Sequence, residues 1–192
     1  LATLSSRRPL VVSCPTGTMA GQLADDLAQF LPHGEVVYFP GWETLPFERV
    51  SPSIETMGHR LRTIWHLQDP ERCPKVVLAP VRALVQRLSP HVEDLAPLVV
   101  GAGDQLDLQA LVRQLVGELA VRGSILDVFP STADGPIRID LWGDEVDRLC
   151  EFTVNDQRST VDLAEVGIFP CRERRPTDDV RQRASELYAS EP

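Results

Sequence analysis

The stretch GELAVRGSILDVFPSTADGPIRIDLWGDEVDRLCEF, residues 117–152, admits few folds, because it strings together short alternating runs joined by turn residues. In IRIDLW the period of two puts Ile137, Ile139 and Leu141 on one side and Arg138, Asp140 and Trp142 on the other. A Trp therefore shares the polar side with two opposite charges. The preceding run behaves alike: Leu119 and Val121 alternate with Ala120 and Arg122, Gly123 follows as a bend or bulge, and residues 125–129 resume the strand. PSTADGP at 130–136 turns the chain into IRIDLW, and Gly143-Asp144 turns it again into residues 146–152. The expectation is an antiparallel meander with one apolar face.

Arg and Trp on an outward sheet face are the residue types that most often carry binding energy at protein interfaces, since each offers large, orientable contact area. The plain alternative is a Trp capping a strand end, with Arg122 and Arg138 in surface ion pairs to Asp140 or Glu145, pairs worth about 0–1 kcal/mol. Residues 117–163 hold ten acidic residues and four arginines, a net of −6. Two outward arginines beside a Trp are a local exception in so acidic a segment, which favours a docking surface.

The first half of the chain has a different pattern. PLVVSC at 9–14, EVVYF at 35–39 and KVVLA at 75–79 are apolar runs too uniform to alternate, as in strands buried on both faces of a parallel sheet. Between the first two, Leu23, Leu27, Phe30 and Leu31 share one stripe of a helix that Thr18 can cap and that His33-Gly34 ends. PGWETLPFERVSP at 40–52 is a proline-rich loop whose Trp42, Leu45 and Phe47 fold back as a packed plug or line a ligand pocket. Ser51-Pro52 starts a second helix, to about Leu67, with Ile54, Met57, Leu61, Ile64 and Trp65 inward and Glu55, Arg60 and Arg62 outward. A third helix after Pro80 carries Leu84, Val85 and Leu88 until Ser89-Pro90. VVGAGDQ at 99–105 reads as a connector, 106–116 as a helix with Leu108, Leu111, Val112 and Leu115 on one side, and 178–188 as a helix in a polar tail. Residues 161–171 run back toward the first half.

Strand, helix, strand in this spacing is the core of a nucleotide-binding fold, so a phosphate loop is the feature to seek. It is missing: CPTGTM at 14–19 has one Gly and no Lys, whereas a phosphate cradle needs backbone N–H groups and a Lys in G-x-x-x-x-G-K-[ST]. No catalytic triad, Cys/His pair or paired carboxylates stand out, and Cys14, Cys73, Cys150 and Cys171 show no metal-ligand spacing with His33, His59, His66 or His91. No catalytic, cofactor or metal site is expected. A formal charge of −9, with Lys75 the single lysine, argues against duplex binding by bulk field. No apolar run approaches the roughly 18 residues of a membrane span. The beginning, LATLSSRR, lacks a signal-peptide pattern, so the cytoplasm is the expected location.

FPGWETLP with Ser51-Pro52, VVLAPVRALVQR at 76–87, AVRGSILDVFP at 120–130 and RIDLWGDE at 138–145 together resemble the N-terminal UvrB-like module of bacterial transcription-repair coupling factors. The resemblance implies an α/β fold: a degenerate helicase-like (RecA-like) parallel-sheet half-domain over 1–98 that no longer hydrolyses ATP. It further implies an inserted small α+β domain with an antiparallel sheet over 99–163, and a return segment over 164–192 that begins the next subdomain. The inserted domain of that family binds the excision-repair protein UvrA. The arginine of A-V-R-G and the arginine and final aromatic of the R-[ILV]-[DE]-[FL]-[FW] motif fall on Arg122, Arg138 and Trp142, the residues the pleat selects independently. Asp140, between the last two, is expected to orient Arg138 by a charge-assisted hydrogen bond.

RNA polymerase and duplex DNA are expected partners of other domains of the full-length protein, which would be an ATP-dependent DNA translocase. This piece is expected to be a monomer with no membrane contact. The alternative is a fragment of a UvrB-like DNA helicase or NTPase whose phosphate loop lies outside the chain. Family members usually carry a further strand-length segment between the 106–116 helix and G-E-x-A-V-R-G, whereas here Val116 meets Gly117 directly.

Overall fold

The computed structural model describes residues 9–44, 52–109, 111, 119–133, 135–170, 182, 183, 185, 186 and 188. The fold is mixed α/β, with parallel and antiparallel sheets. Strands β1 (Leu10–Cys14), β2 (Val36–Tyr38) and β3 (Val76–Pro80) form a parallel layer in the order β1-β3-β2. Only the central strand β3 is buried throughout. The expectation of strands buried on both faces fails for β1 and β2, because each lies at an edge of the three: β1 alternates, with Val11 exposed, and β2 is half-buried.

Helix α1 (Gly17–Ala28) packs Ala20, Leu23, Ala24 and Leu27 on this layer. Its cap is Thr16 rather than Thr18: the Thr16 hydroxyl accepts from the Met19 N–H at 3.2 Å and supplies a partner for one of the first-turn donors. The helix stops before Phe30, which is 82% exposed and so stands off the expected stripe. Leu31 still reaches the cluster.

Helix α2 (Ile54–Gln68) departs further from the sequence reading. Ser53 caps it through the Thr56 N–H, while Ser51 lies outside the described residues, as do Leu45 and Phe47. Arg60, expected outward, is fully buried: its Nη1 donates to the Pro40 carbonyl at 2.8 Å, and its guanidinium lies 4.4 Å from the Phe39 ring centroid and 5.3 Å from that of Trp42. A guanidinium can be buried there because flat aromatic faces and a carbonyl replace its water. Ile54 is exposed instead. The helix after Pro80 is a short α3 (Val81–Val85), which buries Ala83 and leaves Leu84, Val85 and Leu88 exposed.

The expected connector at 99–105 begins in a strand, β4 (Leu98–Gly101), paired antiparallel with β10 (Glu165–Ile168). Leu108, Gln109 and Leu111 are helical, and the rest of the expected 106–116 helix lies largely outside the described residues. So does much of the expected tail helix. Strands β5 (Leu119–Arg122), β6 (Ile125–Val128), β7 (Ile137–Trp142), β8 (Glu145–Phe152) and β9 (Ser159–Asp162) form one antiparallel sheet in sequence order. Gly123 is a hairpin turn rather than a bulge. Both Gly123-Ser124 and Gly143-Asp144 are two-residue turns whose first position has φ near +64°, which glycine adopts without steric cost. Register irregularities lie between β7 and β8, at Asp140/Leu141, and between β8 and β9, at Cys150/Phe152.

The inner face of this sheet holds the main core, with Leu126, Val128, Ile139, Leu141, Val146 and Leu149 packed with Val100, Leu111 and Ile168. Helix α2 meets the loop after β6 so closely that a Cβ on Gly58 would lie 2.0 Å from Ser131 Oγ and 2.5 Å from its Cβ. Two stability results follow, both read by denaturant unfolding. Ile139→Ala should lose about 2–5 kcal/mol through cavity formation, since Ile139 is wholly enclosed. Gly58→Ala should lose about 1–3 kcal/mol by overpacking against Ser131, and an unchanged midpoint would mean that the loop yields freely.

Candidate docking face

On the outer side of the five-stranded sheet the register lays side chains in rows. Arg122, Ile125, Asp140 and Arg148 lie in one row across β5 to β8. Ala120, Asp127, Arg138, Cys150 and Asp162 form the next, reaching β9. Arg122, Arg138, Asp140 and Trp142 thus share the side opposite Ile137, Ile139 and Leu141, as the alternation requires.

Their environments differ. Trp142 ends β7 opposite Glu145 and is 82% exposed, a large apolar surface left in water. Arg122 is exposed at the edge strand and forms no ion pair with a described residue. Arg138 is outward but covered, its side chain 14% exposed. Its Nε and Nη2 donate to the two carboxylate oxygens of Asp127 at 2.7 and 2.8 Å, and its guanidinium stacks 4.4 Å from the Phe152 ring centroid. Nη2 also donates to Gln157 Oε1 at 2.9 Å, and Nη1 to the Gln157 carbonyl at 3.4 Å. The hydrogen bonds to Asp127 raise the Arg138 pKa above its ordinary value, and the charge of Asp140 adds to the effect.

Asp140 therefore does not orient Arg138 by hydrogen bonding, as the sequence suggested. Asp127 takes that position because it lies directly across the β6/β7 ladder, where opposed side chains are closest. Asp140 faces Ile125 on one side and Arg148 on the other, and its Oδ1 is buried without a hydrogen-bond partner. Arg148 pairs instead with Asp162 at 2.6 Å.

Sequence reasoning missed Asp127, Gln157 and Phe152. Asp127 was legible only as an acidic residue on the outward parity of β6, since the seven-residue link at 130–136 hides the register. Gln157 lies in a turn with φ +59° that no alternation marks. Phe152 and Cys150 are buried on the outer face, Cys150 Sγ donating to Ser159 Oγ at 3.3 Å.

The carboxyl ends of the parallel strands form the other place where function could reside. A Cβ on Gly17, the first residue of α1, would lie 2.9 Å from the Tyr38 hydroxyl, so Tyr38 covers the turn where a phosphate would approach a helix N-terminus. Burial, with the nearby Glu43 charge, raises the Tyr38 pKa and keeps the hydroxyl protonated. Glu43 is engaged at the start of α2, accepting from the Ser53 N–H and hydroxyl and from the Thr56 hydroxyl. Burial works to raise its pKa, but these hydrogen bonds prevail and hold it below the usual carboxylate value. An anionic Glu43 and a capped turn suit packing better than phosphate. Among the described residues no three His, Cys, Asp or Glu side chains gather as a metal site, and no helix is long and apolar enough to cross a membrane.

Comparison with known proteins places these features in a family. The UvrB interaction domain family matches residues 112–173, which contain β5 to β10. The transcription-repair-coupling factor of Mycobacterium bovis is 38% identical over an alignment covering all of this chain and 17% of the relative, and that of Escherichia coli is 34% identical over 95% of the chain. The UvrABC system protein B of Lacticaseibacillus casei is 27% identical over 96% of the chain and 31% of its own length. The chain spans 17% of the length of these two coupling factors. The chain is thus homologous along its length to part of the transcription-repair-coupling factors, and its residues 112–173 are a UvrB interaction domain.

Proposed function

We propose that this chain is a non-catalytic recruitment module of transcription-coupled DNA repair that binds the nucleotide-excision-repair protein UvrA through the outer face of its antiparallel sheet. The observation that carries the reading is the exposed Trp142 on the same face as Arg122, which forms no ion pair with a described residue, with Arg138 between them and the β8–β9 turn. Exposed Trp and Arg supply contact area and directed donors, while the core residues opposite them remain untouched by binding. Asp140 belongs to this face as a half-buried carboxylate whose Oδ1 has no hydrogen-bond partner among the described residues.

The β1-β3-β2 layer is, on this reading, the remnant of a helicase-like (RecA-like) half-domain over residues 1–98. The docking domain over 99–163 is inserted into it, and 164–192 returns toward the next subdomain. ATP-driven translocation on duplex DNA and contact with RNA polymerase belong to other parts of the full-length protein, which works in the cytoplasm. The second reading, a UvrB-like helicase or NTPase fragment, draws on the likeness to UvrABC system protein B. It requires phosphate binding that the lone Gly17 under Tyr38 does not favour.

Two measurements separate the readings. Calorimetric titration of the chain with ATP and magnesium should show no saturable binding; micromolar affinity would restore the NTPase reading. In a binding assay with purified UvrA, Arg122→Ala and Trp142→Ala should each weaken affinity by about 2 kcal/mol or more, with melting temperature nearly unchanged. Arg138→Ala should weaken binding as well, with some loss of stability because Asp127 is then left as an unpaired, largely buried charge. Wild-type affinity in all three variants would remove this face from the interaction.

A further inference from the structure

We propose that the turn between β8 and β9 is a latch on the docking face: Gln157 occupies the edge of the Arg138 guanidinium that a carboxylate of the partner takes on binding, while Asp127 fixes the opposite edge and aims it. The inference rests on the reading of Arg138 as a partner contact and adds how that contact is held and released. Gln157 and Asp127 act through Arg138 and are positioning residues.

The guanidinium has two edges that can form a forked pair with a carboxylate. Asp127 fills the Nε/Nη2 edge with both its oxygens. The Nη1/Nη2 edge is satisfied by two oxygens of one residue, the side-chain and main-chain carbonyls of Gln157. Both are neutral acceptors, where a carboxylate would bring charge. Phe152 beneath the guanidinium fixes its plane, so the second edge points along the sheet surface toward the turn. Arg138 cannot offer a forked pair to anything else while Gln157 is in place, because only one Nη1 hydrogen remains.

The turn is built to hold this pose locally. Gln157 N–H donates to the Thr153 carbonyl at 2.9 Å, its Nε2 donates to the Val154 carbonyl at 3.1 Å, and its φ is +59°. Val154 and Arg158, on either side, are exposed, so swinging the turn aside breaks bonds at Gln157 without opening the core. A partner carboxylate exchanges two neutral acceptors for two charged ones and adds the attraction of opposite charges to the forked pair with the guanidinium. Asp127 keeps its own edge throughout. The chemistry required of the partner is an Asp or Glu side chain presented end-on.

The test uses the whole chain with purified UvrA. Gln157→Gly removes the side-chain oxygen and Nε2 while accepting the left-handed backbone, so it should tighten binding about threefold to tenfold at unchanged melting temperature. The gain should vanish in the Arg138→Ala background, a coupling that a merely structural turn would not show. Should the glycine loosen the turn, Gln157→Asn keeps the left-handed preference with a shorter amide, and the same gain is required of it. Asp127→Asn should weaken binding, since the guanidinium loses its fixed edge. If Arg138→Ala leaves affinity unchanged, Arg138 is no contact and both readings fall. If Arg138→Ala weakens binding but neither Gln157 variant tightens it, or the gain persists without Arg138, the latch alone is overturned.

Discussion

The register of β6 against β7 is the constraint on which the proposed docking face depends. Leu126 opposite Ile139 and Asp127 opposite Arg138 are set by the same ladder, so one pairing seals the core and forms the ion pair. A slip of one residue would turn Ile139 toward the charged face and drive Arg138 into the cluster of Leu126, Leu149 and Val146. The eight residues between these strands make too long a link to impose the register, as a two-residue hairpin turn would. The pattern of the strands must do so, and the cost of burying an unpaired guanidinium is what makes the alternative register unfavourable.

The outer face is graded rather than uniformly solvated. At the β9 side Cys150 and Phe152 are buried, with the Arg138 guanidinium over the Phe152 ring, and Arg148 is tied to Asp162. At the hairpin-turn side Arg122 and Trp142 are exposed. Substituting a residue at the closed end disturbs packing as well as binding, whereas the open end can change with little structural consequence. Arg138 lies at the boundary, which is why its role cannot be separated from stability by truncation alone.

The pleat made most of this sheet legible. Alternation in IRIDLW and LAVR assigns the inner and outer residues of β5 and β7, and the glycines at 123 and 143 mark the turns. Cross-strand partnership was not legible, because it depends on a register that residues 130–136 leave open; hence Asp140 was taken for the partner that Asp127 proves to be. In the parallel layer, uniform apolar runs showed strands but not their order. Edge exposure of Val11 follows only from β3 being central. Arg60 was misplaced because helical periodicity sees charge and not the aromatic cage of Phe39 and Trp42, residues about twenty positions away that exist as a cage only after folding.

That cage gives the tryptophan of the W-E-x-L-P string a structural meaning. Trp42 lies against Arg60, its main-chain N–H donates to Gln86 Oε1, and Glu43 next to it gathers the Ser53 and Thr56 hydroxyls, so the loop after β2 is fastened to α2 and to the chain after α3. Helix α2 is in turn fastened to the antiparallel sheet: Gly58 admits Ser131 at a distance no larger residue allows, and Arg62 reaches the Thr132 carbonyl. The loop bearing Ser131 and Thr132 joins β6 to β7, the two strands that carry Asp127 and Arg138. A chain of direct contacts therefore runs from the carboxyl end of the parallel layer to the hairpin that sets the docking face.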